Sequence, residues 1–144
     1  STPRDIDVLL ARYAESHRHP VNELIHFVCI PAIMFSLLGI LWAIHPVVAL
    51  LVVAAALVYY VKLSMPFAVG MAAMAAAMLG LLSMLPEGTV LVTSIGLFVL
   101  AWIGQFIGHH IEGKKPSFFD DLRFLLIGPL FVLSFLYRRM GLAY

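Results

Sequence analysis

Trp102-Ile103-Gly104-Gln105-Phe106-Ile107-Gly108-His109-His110-Ile111-Glu112-Gly113-Lys114-Lys115-Pro116 is the stretch on which the reading of the chain turns. Up to Ile107 it has the composition of the last turns of a membrane-spanning helix. Two histidines, a glutamate and two lysines then arrive together, where such a helix should leave the hydrocarbon. A matching polar cluster, His17-Arg18-His19-Pro20-Val21-Asn22-Glu23-Leu24-Ile25-His26, lies at the other end of the apolar region. The two clusters are expected to meet at one membrane face and hold a metal ion between them.

The composition supports a membrane protein. Hydrophobic residues make up 62% of the 144 residues and charged residues 12%. Soluble domains run near 45–50% and 25%. A net charge of +1 offers no basic face to neutralise phosphates, which argues against nucleic acid as a partner. The length suits one membrane-embedded domain over residues 1–144. The single cysteine, Cys29, sits in an apolar run and reads as a small buried hydrophobe. The first 26 residues carry Arg4, Asp5, Asp7, Arg12, Glu15 and Arg18 and no apolar core, so no cleavable leader is predicted and insertion depends on the internal helices.

Working outward, the fold class predicted is all-α. It is an integral membrane bundle of about four transmembrane helices, with an N-terminal amphipathic helix and a C-terminal broken or interfacial helix. Ile6, Leu9, Leu10 and Tyr13 recur at helical spacing within residues 3–16, after Thr2 and Pro3 as cap and first-turn proline. This helix either lies on the membrane surface or packs on the rest of the protein. Pro20 starts a second helix that runs to about Ile44, uncharged from Leu24 onward and expected to kink at Pro31. Residues 47–61 and 67–85 are the next apolar segments, with turns at His45-Pro46 and before Pro66. The small residues of 67–85 (Ala72, Ala73, Ala75, Ala76, Ala77, Gly80) predict close packing on neighbours. Its methionines, Met71, Met74, Met78 and Met84, are expected as gap-filling core. Residues 89–108 form the fourth span, 109–121 a polar loop, and 122–137 the last helix, with Gly128-Pro129 in its middle.

Basic residues orient the spans. Arg4, Arg12 and Arg18 precede the first span, Lys62 follows the second, and Lys114 and Lys115 follow the fourth. The intervening turns carry neither Lys nor Arg. Four spans with both polar clusters on the cytoplasmic side satisfy this pattern. Arg138 and Arg139 fit only if the last helix does not cross, hence the interfacial reading. An even number of crossings between His26 and His109 sets them at similar depth.

Titratable side chains at membrane depth are costly and face protein-lined cavities. Asn22 and His26 share a helix face, with His19 at its cap and His17 in the break before it. His17, His26 and His109 form the proposed ligand set, with His110 and Glu112 as further ligand candidates. Imidazole suits Fe, Zn, Cu and Ni, and one cysteine excludes a thiolate site. The spacing alone does not choose between iron and zinc. Asn22, Gln105 and Glu112 are candidates for orienting the ligands. His45, on the opposite turn, is left out of the site. Lys114 and Lys115 read either as interface anchors or as partners for the carboxylate of a lipid-like substrate. Ser117, Asp120 and Asp121 are cap candidates for the last helix.

The pattern His17-x4-Asn22-x3-His26 with Pro31 is followed by Gln105-Phe106-Ile107-Gly108-His109, Glu112-Gly113-Lys114-Lys115-Pro116 and Ile127-Gly128-Pro129-Leu130. In this order it resembles the small membrane proteins related to the yeast endoplasmic-reticulum 2-hydroxy fatty acid dioxygenase, over roughly residues 5–138. The resemblance implies an Fe(2+)-dependent dioxygenase. Its substrates are a 2-hydroxy fatty acid and O2, and its products a fatty acid one carbon shorter and CO2. It also implies His17, His26 and His109 as catalytic iron ligands. The setting implied is a bacterial inner membrane, or the endoplasmic-reticulum membrane in a eukaryote, with membrane lipid as surroundings and homo-oligomerisation left open. Two other classes remain in view at this point. One is a different metal-dependent membrane lipid hydroxylase or desaturase, which ordinarily carries more histidine boxes. The other is a small transporter or structural membrane protein whose histidines only pack.

Overall fold

The computed structural model describes residues 4–15, 18–113 and 118–144, the side chains of 118–125 excepted. The described residues form six helices: α1 (Asp5–Glu15), α2 (Pro20–Ile44), α3 (Pro46–Leu63), α4 (Met65–Met84), α5 (Val90–Glu112) and α6 (Phe118–Arg139). Four of them, α2 to α5, are long and apolar enough to cross a membrane. Their outward faces carry large apolar residues such as Leu51, Val69, Val92 and Leu100, all more than 60% exposed. Such a surface is stable against lipid and not against water.

The helix starts follow from one repeated device. In His19-Pro20-Val21 and again in His45-Pro46-Val47, the proline occupies the first helical turn, where its missing N–H costs nothing. The preceding histidine is the cap. His19 Nδ1 accepts from the Val21 amide at 3.2 Å, and His45 Nδ1 accepts from the Val47 amide at 3.1 Å.

The helix α5 runs one turn further than the sequence predicts. His109, His110 and Glu112 lie on the helix and not in a polar loop. The reason is Gly113, which takes a left-handed φ of 76° and returns its N–H to the carbonyls of His109 and His110. A glycine in that conformation is the usual helix stop.

Helices α2 and α5 run antiparallel and share the most extensive interface of the bundle. Small residues make it possible. A methyl group on Gly39 would strike Ser94. On Gly104 it would come within 2.6 Å of Cys29 Sγ, and on Gly108 it would strike the Asn22 amide oxygen. By contrast, the small-residue run of α4 is largely outward: Ala73, Ala76, Ala77 and Gly80 are exposed, and nothing lies near Gly80. The expected methionine core holds for Met71, Met74 and Met78, which sit in or against the two apolar clusters. Met84 is 80% exposed, at the last residue of α4, and is no part of the core.

The amphipathic α1 packs on protein. Ile6, Leu10 and Tyr13 are buried in one cluster with Ile127, Leu130, Phe131 and Leu133 of α6 and with Tyr60, Phe67 and Met71 of the spans. Helix α6 passes through Gly128-Pro129 without interruption. Side chains tie it to the end of the bundle where α3 gives way to α4. Tyr137 donates to the Pro66 carbonyl at the start of α4 (2.6 Å), while Tyr60, near the end of α3, donates to the Leu126 carbonyl (2.7 Å). Pro66 and Tyr60 are both within about 5 Å of their helix ends, whereas Leu126 and Tyr137 are about 16 Å apart along α6.

Candidate active site

The N-terminal end of α2 and the C-terminal end of α5 bring His26 and His109 together. Both are buried, 2% and 6% exposed. Their rings meet edge to face, with centroids 5.6 Å apart and planes at 86°. His26 Nδ1 lies 2.9 Å from the Asn22 carbonyl oxygen. A carbonyl can only accept, so Nδ1 carries the hydrogen, and in the neutral ring the lone pair sits on Nε2. Anchoring one ring nitrogen on a carbonyl is how a ligating histidine is commonly oriented. Tyr13 of α1 closes the other side of His26, edge to face at 6.4 Å.

Glu112 clasps the two helices at this end. Its Oε1 accepts from the Arg18 amide (2.9 Å), and its Oε2 accepts from the His19 amide (2.8 Å) and from Asn22 Nδ2 (3.3 Å). The first amides of a helix have no partners within it and carry the positive end of its dipole, so a carboxylate is favoured there. Glu112 is therefore a cap on α2 as well as the last residue of α5, three positions beyond His109. Asn22, fully buried, touches Glu112 through its amide and His26 through its main chain. Gln105 is one turn before His109 on the same helix face. It is 5% exposed, and its amide oxygen has no hydrogen-bond partner among the described residues. A buried acceptor with no donor among the described residues, one turn from His109, is a place where a further donor would be favoured.

The remaining candidates are placed as follows. His110 is exposed on the outer flank of α5. His19 and His45 are helix caps, and His45 is at the opposite end of the bundle. His17, Lys114, Lys115 and Ser117 lie outside the described residues, as do the side chains of Asp120 and Asp121. Among the described residues no group of three His, Cys, Asp or Glu is arranged to hold a metal. The described residues supply two imidazoles toward any such set, with ring centroids 5.6 Å apart.

A family model described as 2-hydroxy-palmitic acid dioxygenase Mpo1-like matches residues 4–140. The chain belongs to the Mpo1-like family. The Mpo1-like match takes in both polar clusters and every element from α1 to α6. A Saccharomyces cerevisiae relative, "2-hydroxy-palmitic acid dioxygenase MPO1", is 32% identical over 145 aligned positions, covering 93% of this chain and 81% of the relative. No solved structure matches the chain. The structure brings His26, His109 and Asn22, which sequence reasoning set at one membrane depth, to one place in the bundle. That reasoning missed the clasp formed by Glu112 on the α2 amides, whose signal was Gly113 marking Glu112 as helical.

Proposed function

We propose that this Mpo1-like chain is an Fe(II)-dependent 2-hydroxy fatty acid dioxygenase acting at the cytoplasmic face of a membrane, the inner membrane in a bacterium. The reaction is RCH(OH)COOH + O2 → RCOOH + CO2 + H2O. The C1–C2 bond breaks, C2 is oxidised to the new carboxyl, and O2 takes up the four electrons. The observation that carries this reading is the buried, mutually facing pair His26 and His109, set beside the open acceptor of Gln105. The substrate class follows the name of the yeast relative.

His26 and His109 would hold the metal, with His17 as third ligand. Arg18, its neighbour in the chain, is tied to Glu112, one turn from His109. Bound Fe(II) supplies the redox chemistry that O2 requires to react with a saturated acid. The protein's part is positional. The Asn22 carbonyl holds the proton on His26 Nδ1 and so keeps Nε2 free to ligate. The Gln105 amide oxygen receives the substrate 2-hydroxyl proton as a hydrogen bond and orients C2. Lys114 or Lys115, immediately beyond the α5 cap, pairs with the carboxylate. Tyr13 and α6 cover the site and keep bulk water from it.

The test combines metal analysis of detergent-purified protein with an oxygen electrode and 2-hydroxypalmitate. Oxygen uptake matched by pentadecanoate and CO2 is expected. His26→Ala and His109→Ala should lose both iron and at least about a hundredfold of the rate, in the range seen for loss of an essential group. Iron-loaded protein that leaves 2-hydroxypalmitate untouched would sink the proposal.

A further inference from the structure

Below the histidines, a groove of about 380 Å³ opens between α2, α3 and α4 under the edge of α6. That volume is within the usual range for a small-molecule site. Its walls include Met34, Leu41, Val53, Ala56, Met71 and Pro129. Apart from backbone, the polar group on it is the Tyr60 hydroxyl, and that hydroxyl is occupied by the Leu126 carbonyl. A lining with no free donor or acceptor holds hydrocarbon, not water.

The groove continues the active-site face of α2. His26, Ile30, Met34, Leu38 and Leu41 follow one another at three- and four-residue steps, which keeps them on one stripe. Ile30, 4% exposed, lies between His26 and Met34 on this stripe, and both Ile30 and the hydroxyl of Tyr13, whose ring edges His26, lie close to Gly128. The α3 wall runs the opposite way, with Tyr60 near the histidine end and Val53 about 10 Å further along.

We infer that this groove binds the alkyl tail of the substrate and selects its length. The inference rests on the proposed reaction for the identity of the ligand. From His26 to Met34 is about 12 Å along α2, and from Met34 to Leu41 about 10 Å more. Zigzag carbon chains advance about 1.25 Å per bond, from carbon–carbon bonds of about 1.5 Å. A tail headed at the histidines thus reaches the far end of the groove with roughly sixteen to eighteen carbons. An eight-carbon acid, about 9 Å long on the same count, ends before Met34 and never enters.

The experiment is equilibrium binding of radiolabelled 2-hydroxyhexadecanoate and 2-hydroxyoctanoate to the detergent-purified full chain under nitrogen, where no turnover occurs. Ala56→Phe fills the groove from α3, and Val53→Phe fills it further along. Each should weaken 2-hydroxyhexadecanoate at least about tenfold, the value of two or three buried methylenes, and leave 2-hydroxyoctanoate unchanged. Val53→Phe should spare a twelve-carbon acid better than Ala56→Phe does. Unchanged binding of the long acid in both variants would overturn the inference, as would equal weakening of the long and short acids. Bulk lipid in the groove would give the first of these results. Because the readout is binding, wild-type protein that binds the long acid in the groove but consumes none would refute the reaction and leave the groove standing.

Discussion

The carboxylate of Glu112 at the end of α5 receives the main-chain N–H of His19 at the start of α2, 2.8 Å away. A single side chain thereby fixes where two antiparallel spans begin and end, and with them the depth of His26 against His109. The Arg18 amide and the Asn22 side chain share the same carboxylate.

Removing that charge should cost stability before it costs chemistry. Hydrogen bonds to a charged group contribute about 1.5–3 kcal/mol when shielded, and these are partly exposed, so Glu112→Ala is expected to lose about 1–2 kcal/mol. For a chain of this size that lowers Tm by roughly 3–8 °C. Glu112→Gln, which keeps one acceptor oxygen, should fall in between. Thermal unfolding in detergent checks it; a Tm equal to that of the unaltered protein would remove the clasp from the account.

Gln105 gives a prediction of opposite sign in two measurements. Its buried amide oxygen has no partner among the described residues, so Gln105→Leu relieves an unsatisfied group and should hold or raise stability by up to about 1 kcal/mol. The same change removes the acceptor for the substrate 2-hydroxyl. Binding of 2-hydroxypalmitate should weaken about tenfold while palmitate, which has no hydroxyl, is little affected. Competition between the two acids measures this directly. A variant that still prefers the hydroxy acid as strongly as before would assign the hydroxyl to some other group.

The sequence made some of this plain and hid the rest for physical reasons. Apolar length and the spacing of basic residues report each helix separately, so α2 to α5 and their order were legible. The meeting of His26 and His109 followed from counting crossings. Which faces touch is a different matter, since every span is apolar all round and no hydrophobic stripe marks the inside. Small residues are then the best guide, and they must be read in context. Ala73, Ala76 and Ala77 of α4 are conspicuous yet exposed, whereas Gly104 and Gly108, four apart on α5, mark the true contact with α2. The role of α1 was undecided from its amphipathic pattern because that pattern serves lipid or protein equally; Tyr13, 2% exposed, shows that it serves protein.

That contact can be tested by adding one methyl group at a time. On Gly108 it would strike the amide oxygen of Asn22 and lie 3.6 Å from His26 Cε1, and Asn22 is fully buried and cannot withdraw. Gly108→Ala should therefore destabilise by about 1–3 kcal/mol, the usual cost of overpacking, and should lower turnover by displacing His26. Gly80→Ala, into open space, should be neutral or stabilise by up to about 1 kcal/mol. Similar effects from the two substitutions would mean that α2 and α5 are not held at the observed separation.

The placement of α6 makes the last prediction. Because Tyr137 reaches Pro66 and Tyr60 reaches Leu126, the chain after Arg139 should emerge on the same side as the turn between α3 and α4, and not across the membrane from it. The turn between α4 and α5 belongs on the other side. In a Cys29→Ser background, Met140→Cys and Met65→Cys are suitable probes, since both positions are more than 60% exposed. In sealed vesicles of one orientation, a membrane-impermeant maleimide should label both of them or neither. Glu87→Cys should show the opposite pattern. If Met140→Cys labels together with Glu87→Cys, α6 crosses the bilayer, and the cover it provides over His26 and over the groove would have to be found elsewhere in the chain.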